Sequence, residues 1–406
     1  MNHSHRSSSI NVTRKWVGTA AAVFTLFVWA LFVSPSARNR SGTPRSLTLQ
    51  SFSGGALWAA GRSGTGESAS RYKVLTPISH GNLTIFPVVA DLSHDTSQFL
   101  TLDEGLRSGE VVVTEAGKIQ PLMRRRSGPI VPHGDQVNQL VLVNNSDRPL
   151  ILLAGEIVTG GKQDRVVGKD RIVPPKSDPI DLSVFCVEPG RWVETSSKFT
   201  GFNALMAQPS VRKRAMADKN QQEVWAEVRK SADSINLGSS LSGSAGGAPS
   251  SDISVSMAPP ASYARAMASP AAQSKVDAVA TPLEHSYDKV MRELRERHAV
   301  GVVVAVNGEI IWADIFASTS LLEKYWPKLV RSYAAEAVTT SISSSHADVK
   351  SAQAFIEYKT GKREVVESEP GVYRQVEIAG DGYRVFELAS LLPNTGFDIH
   401  IAKMSE

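Results

Sequence analysis

Cysteine is almost missing from this sequence: Cys186 is the only one in 406 residues. One thiol makes no intrachain disulfide, no Cys-rich zinc site and no lipid-attachment motif, so a packed core must hold the fold. Charge of one sign is also scarce, with a formal net charge of +4. The basic clusters Arg124-Arg125-Arg126 and Arg212-Lys213-Arg214 have no interleaved aromatics. They read as solvated faces or loose membrane-surface contacts, and nucleic acid is not an expected partner. His-Glu-x-x-His, Cys-x-x-Cys and Gly-x-Ser-x-Gly do not occur. A near match to a phosphate loop at Gly155 to Lys162 is one residue too long, and Gln163 stands where a magnesium-binding hydroxyl is required. The histidines outside the N-terminal tail have no ligand spacing. Neither a metal nor a cofactor is expected.

One long apolar run is present. Residues 16–33 carry no charge and follow Arg14 and Lys15. A helix of about 18 residues spans most of a hydrocarbon core, and the same pattern suits a secretory signal. Residues 1–38 are therefore expected to form a signal peptide or membrane anchor, with the membrane as a partner. The bulk of the chain is then membrane-anchored or secreted, on the extracytoplasmic side. Residues 39–71, poor in large apolar side chains, read as a flexible tether.

The rest reads as one α+β domain over 72–403. Its β-rich N-terminal half should form an antiparallel sheet. Apolar runs at 83–89, 111–113, 139–143, 150–154 and 182–187 are separated by Gly, Asn and Pro turn residues. Helical spacing follows over 211–232. Residues 238–281 are Ser, Ala, Gly and Pro with few large aliphatics, and the composition predicts a disordered insertion. The C-terminal half is expected to hold helices and a hairpin turning at Asn307-Gly308, a pair suited to a type I′ turn. Helical spacing covers 321–337, where Pro327 must open a new helix or kink it.

Two carboxylates stand out. Glu156 continues the parity of Leu150, Leu152 and Ala154, and Glu188 that of Leu182, Val184 and Cys186. Alternation across a strand should turn both to the apolar side. Each precedes a Gly-containing turn and cations: Lys162, Gln163 and Arg165 after one, Arg191 and Trp192 after the other. Convergence would make a polar pocket. Lys162, Arg165 and Arg191 would then hold an anion while Gln163 and Trp192 shape the site. A glutamate general base, Glu156 or Glu188, would make the same pocket hydrolytic. In the blander reading, Arg165 and Arg191 tie the glutamates into a structural network. Cys186 reads as a small buried hydrophobe, Trp192 and Trp225 as core anchors, and Asp314 as a helix cap or a pocket residue.

Three strings carry a resemblance: Leu153-Ala154-Gly155-Glu156 with Gly161-Lys162-Gln163-Asp164-Arg165; Val187-Glu188-Pro189-Gly190-Arg191-Trp192; and Val306-Asn307-Gly308-Glu309 with Asp314-Ile315-Phe316. They resemble the ARG-and-Rhodanese-Phosphatase-superfamily-associated Protein domain, a bacterial and archaeal family, over roughly 72–233 and 283–403. That name implies a link to ADP-ribose or NAD-derived metabolites. The resemblance thus suggests a binding or scaffold module for a small anionic, ADP-ribose-like ligand or a protein partner. The alternative is hydrolysis of a nucleotide-sugar bond. An export segment at 16–33 would set the chain apart from the cytosolic NAD pool.

Overall fold

A computed structural model describes residues 71–118, 138–242, 262–293, 298–342, 345–357 and 360–406. The apolar segment at 16–33, the tether up to residue 70, the cluster Arg124-Arg125-Arg126 and residues 243–261 lie outside the described residues. No helix among the described residues is long and apolar enough to cross a membrane.

The strands are β1 (Tyr72–Val74), β2 (Ile78–His80), β3 (Leu83–Ala90), β4 (Leu100–Thr101), β5 (Val111–Glu115), β6 (Gln139–Asn144), β7 (Leu150–Leu152), β8 (Glu156–Thr159), β9 (Arg165–Val167), β10 (Arg171–Val173), β11 (Ile180–Cys186), β12 (Thr200–Met206), β13 (His298–Val306), β14 (Glu309–Phe316), β15 (Lys362–Glu369), β16 (Tyr373–Gly380), β17 (Tyr383–Ser390) and β18 (Asp398–Ser405). The helices are α1 (Leu102–Ser108), α2 (Pro209–Lys213), α3 (Gln221–Ser242), α4 (Tyr263–Ala268), α5 (Pro270–Glu293), α6 (Thr319–Thr339) and α7 (Val349–Ile356).

A nine-stranded antiparallel sheet runs β1-β3-β13-β14-β18-β17-β16-β15, with β2 also on β3. A six-stranded antiparallel sheet runs β12-β8-β9-β11-β6-β5, and a small sheet runs β10-β7-β4 with β4 and β7 parallel. The fold is α+β, but the two halves are not separate. Strand β3 leaves the N-terminal part and pairs with β13 along its whole length. Residues 139–144 and 150–152 do not pair with each other either: β6 and β7 belong to different sheets.

Local chemistry explains most of the elements. Thr101 and Glu104 form a reciprocal cap at the start of α1, and Gly109 ends it at φ +75°. Asn307 and Gly308 turn the β13–β14 hairpin with φ of 54° and 77°, as a type I′ turn demands. Strands β13 and β14 are buried on both faces because α6 covers one side and α7 the other. That is why they read as continuous apolar runs rather than alternating ones. Pro327 lies inside the single helix α6 and opens no new one.

The disordered insertion expected at 238–281 is corrected at its two ends, while its middle, 243–261, lies outside the described residues. Residues up to 242 continue α3, and residues from 263 form α4 and α5. Tyr263, Ala264, Met267, Ala272, Val276 and Ala280 are buried in the main core. Small alanines give a helix a face that packs closely, so few large aliphatics suffice once Tyr263 and Met267 anchor it.

Candidate functional site

The Gly160-Gly161 turn between β8 and β9 has φ of 127° and 50°. A Cβ on Gly161 would stand 2.3 Å from the Phe199 ring, so only glycine lets the turn lie there. This geometry presents Gln163, Asp164 and Arg165 to the loop after β11. There Glu188 accepts the Asp164 backbone N–H at 3.0 Å, and Gln163 Nε2 donates to the Glu188 carbonyl at 3.0 Å. Arg191 reaches back to pair with Glu188 at 2.5 Å and Asp164 at 3.5 Å, and it donates to the Gly161 carbonyl. Burial works against the Arg191 charge, but Glu188 outweighs it and raises the group above its ordinary value.

Helix α4 closes the cluster. Ser262 Oγ donates to Asp164 Oδ2 at 2.7 Å, and Arg265 stands 3.4 Å from Glu188. Burial raises Asp164 above the usual carboxylate value. Arg191 thus ties down Glu188, as the structural-network reading expects. Arg165 ties down neither glutamate. Its nearest carboxylate is Glu115, at 4.0 Å.

Arg165 is the exceptional member. It sits on β9, flanked by β8 and β11, with no solvent exposure, and its Nε, Nη1 and Nη2 have no hydrogen-bond partner among the described residues. Burial lowers its pKa. The ring of Trp192 lies over its guanidinium, centroid 6.0 Å away, with Lys162 Nζ 5.0 Å from the same ring. Trp192 is no core anchor: it is 43% exposed, beside Val193 at 70%. Cys186 is fully buried, as expected, and burial raises its thiol.

Glu156 belongs elsewhere. Its side chain does turn inward, but it pairs with Lys328 of α6 at 2.5 Å and caps Leu153 N–H at 2.7 Å. Lys328 also holds Asp103 at 2.6 Å and lies over the Tyr325 ring. Burial raises Glu156 above its ordinary value. Of the seven candidates, Lys162, Gln163, Arg165, Glu188, Arg191 and Trp192 gather at one rim, and Glu156 does not join them.

A family model described as the ARG and Rhodanese-Phosphatase-superfamily-associated Protein domain matches residues 71–402. The chain belongs to this family. No curated protein and no solved structure matches it. Within this family domain, all three recognised strings fall on the framework just described. Gly155 of the first string, at φ +96°, would place a Cβ 2.6 Å from the stem of Arg212.

Arg212 leads to a third cluster that sequence reasoning missed, and it corrects the solvated reading of Arg212-Lys213-Arg214. It is fully buried and grips Asp314 through two bonds of 2.8 and 2.9 Å. Tyr333 donates to the same carboxylate at 2.5 Å. His400 bridges Asp314 at 3.0 Å and Asp170 at 2.6 Å. Asp314 is therefore neither a helix cap nor a pocket residue. Burial would raise it, yet Arg212 and His400 hold it well below the carboxylate range. Burial would lower His400, yet Asp170 and Asp314 raise it to about 9. Parity carried the signal: Trp312, Asp314 and Phe316 share one face of β14, and His400, Ala402 and Met404 share one face of β18.

Proposed function

We propose that this domain is a binding module for a small anionic ligand carrying a flat ring, of the ADP-ribose type, engaged at the Trp192 rim. One observation carries the reading: the sealed guanidinium of Arg165, without a hydrogen-bond partner among the described residues, beneath an exposed aromatic side chain. A buried cation with no hydrogen bond and its nearest carboxylate at 4.0 Å is poorly compensated, so its retention suits a group that an incoming anion completes. Lys162 and Arg191 flank the approach, Gln163 lines the rim, and Trp192 offers a stacking face. The general-base alternative draws little support, since Glu188 is committed to Arg191 and Glu156 to Lys328.

The test is tryptophan fluorescence titration of the full chain with ADP-ribose and with pyrophosphate, using Trp192→Phe to assign the signal. Saturable quenching is expected, weakened at least about tenfold by Arg165→Met. The same substitution should raise the melting temperature of the ligand-free protein, because it deletes a buried charge that makes no hydrogen bond. Unchanged affinity in Arg165→Met would refute the assignment. For the cellular setting, residues 16–33 support anchoring or export with the domain outside the cytoplasm. Protease accessibility in intact cells decides this, and full protection would overturn it.

A further inference from the structure

A cavity lies between the six-stranded sheet and the far end of the nine-stranded sheet. It measures about 400 Å³, within the range of small-molecule sites. It shares no lining residue with the Trp192 rim. Three departures from regular backbone meet at its wall. Residues 214–218, which contribute Ala215 and Met216, form a π-helical turn. Lys219 follows it in the left-handed region at φ +51°. Strand β15 slips register between Val365 and Glu367, pushing Val366 to the cleft. Such irregularities cost conformational energy and concentrate where a ligand is held.

The lining is divided by chemistry. Phe185, Met216 and Phe386 make an apolar floor, each at most 9% exposed. Lys169 and Lys219 stand at the wall, Lys219 also bonding Glu377 beyond the lining at 3.0 Å, with a single lining carboxylate, Glu367. That carboxylate is already shared: Lys169 and Tyr373 bond it, and Arg171 lies 3.6 Å away. Burial, then the neighbouring cations Arg171 and Lys219, lower the Lys169 ammonium from its usual value. Gln375 also lines the cleft and is 2% exposed.

We propose that this cleft binds a small amphiphilic anion, its apolar body on Phe185, Met216 and Phe386 and its acid group between Lys169 and Lys219. The Gln375 amide supplies a further donor at the inner wall. The inference is independent of the Trp192 rim.

The experiment is calorimetric titration of the full chain with 2-naphthoate and with its neutral counterpart, 2-naphthalenemethanol. Naphthoate should bind at least about tenfold more tightly than the alcohol. The double variant Lys169→Met with Lys219→Asn, whose asparagine tolerates the left-handed backbone, should erase that preference. Ser183→Phe, which fills the cleft from β11, should weaken both ligands by at least about tenfold. Equal binding of the two probes to the parent, a preference retained in the double variant, or no saturable binding at millimolar probe would overturn the proposal. Should Ser183→Phe fail to fold by circular dichroism, the double charge variant decides alone. Arg165→Met should leave the naphthoate affinity unchanged, which separates this site from the rim.

Discussion

Raising the pH from 6.5 to 8 should destabilise this protein, and His400 is the reason. Its imidazole is fully buried between Asp170 and Asp314 and is raised to about 9 from an ordinary 6.5. A folded pKa above the unfolded one means that the native state keeps its proton after the unfolded chain has released it. The stabilisation is fully present below pH 6.5 and is lost as pH rises through about 9. The shift corresponds to about 3 kcal/mol in all, of which roughly half disappears between pH 6.5 and 8. Above pH 8 a second group pulls the other way. Burial lowers Lys403 to about 8, so shedding its proton favours the native state there. The clean window is therefore the lower one. Urea denaturation at half-unit pH steps, for the parent and for His400→Gln, gives the two profiles. Their difference should fall by about 1.5 kcal/mol across the window. Parallel profiles would show that the imidazole does not carry the charge that this geometry gives it.

Other outcomes follow from the same buried clusters. Asp314→Asn removes the carboxylate that balances Arg212 and should cost about 3–5 kcal/mol in urea denaturation; a loss below about 1 kcal/mol would contradict the pairing. Lys328→Met should cost a similar amount by stranding Glu156, whereas adding Glu156→Leu to it should recover most of the loss, as a double-mutant cycle would reveal. Tyr263→Ala should destabilise the protein by about 3–5 kcal/mol, since the ring is buried and its hydroxyl accepts the Gln208 N–H at 3.0 Å. A neutral result there would mean that α4 is not part of the core.

The sequence was most informative where one local rule decides the structure. The Asn307-Gly308 hairpin was legible for that reason, as was the helix over 321–337. Pairing between distant segments was not. Nothing in residues 83–90 names β13 as a partner, and nothing in 139–154 says that β6 and β7 part company. Strand β15 was invisible because Lys362, Arg363, Glu364, Glu367 and Glu369 present an exposed edge with no apolar alternation. The site followed the same division. Glu188 and Arg191 lie within one turn of chain, and their pairing was readable. The parity rule turned Glu156 inward correctly but could not supply Lys328, which comes from a helix far along the chain. Alanine-rich α4 and α5 were mistaken for disorder because composition counts large side chains, not the closeness of approach that small ones permit.

The position of β3 has a consequence for how the molecule comes into being. Ala90 pairs with Tyr72 on one side and with His298 on the other, so this strand stays half-satisfied until the last quarter of the polypeptide has been synthesised. Closing so large a loop is slow, and an open strand edge invites the wrong neighbour while it waits. Fragments ending before residue 298 should accordingly aggregate rather than behave as half-size domains. During biogenesis, a holding chaperone would have its longest task on the opening strands of the domain.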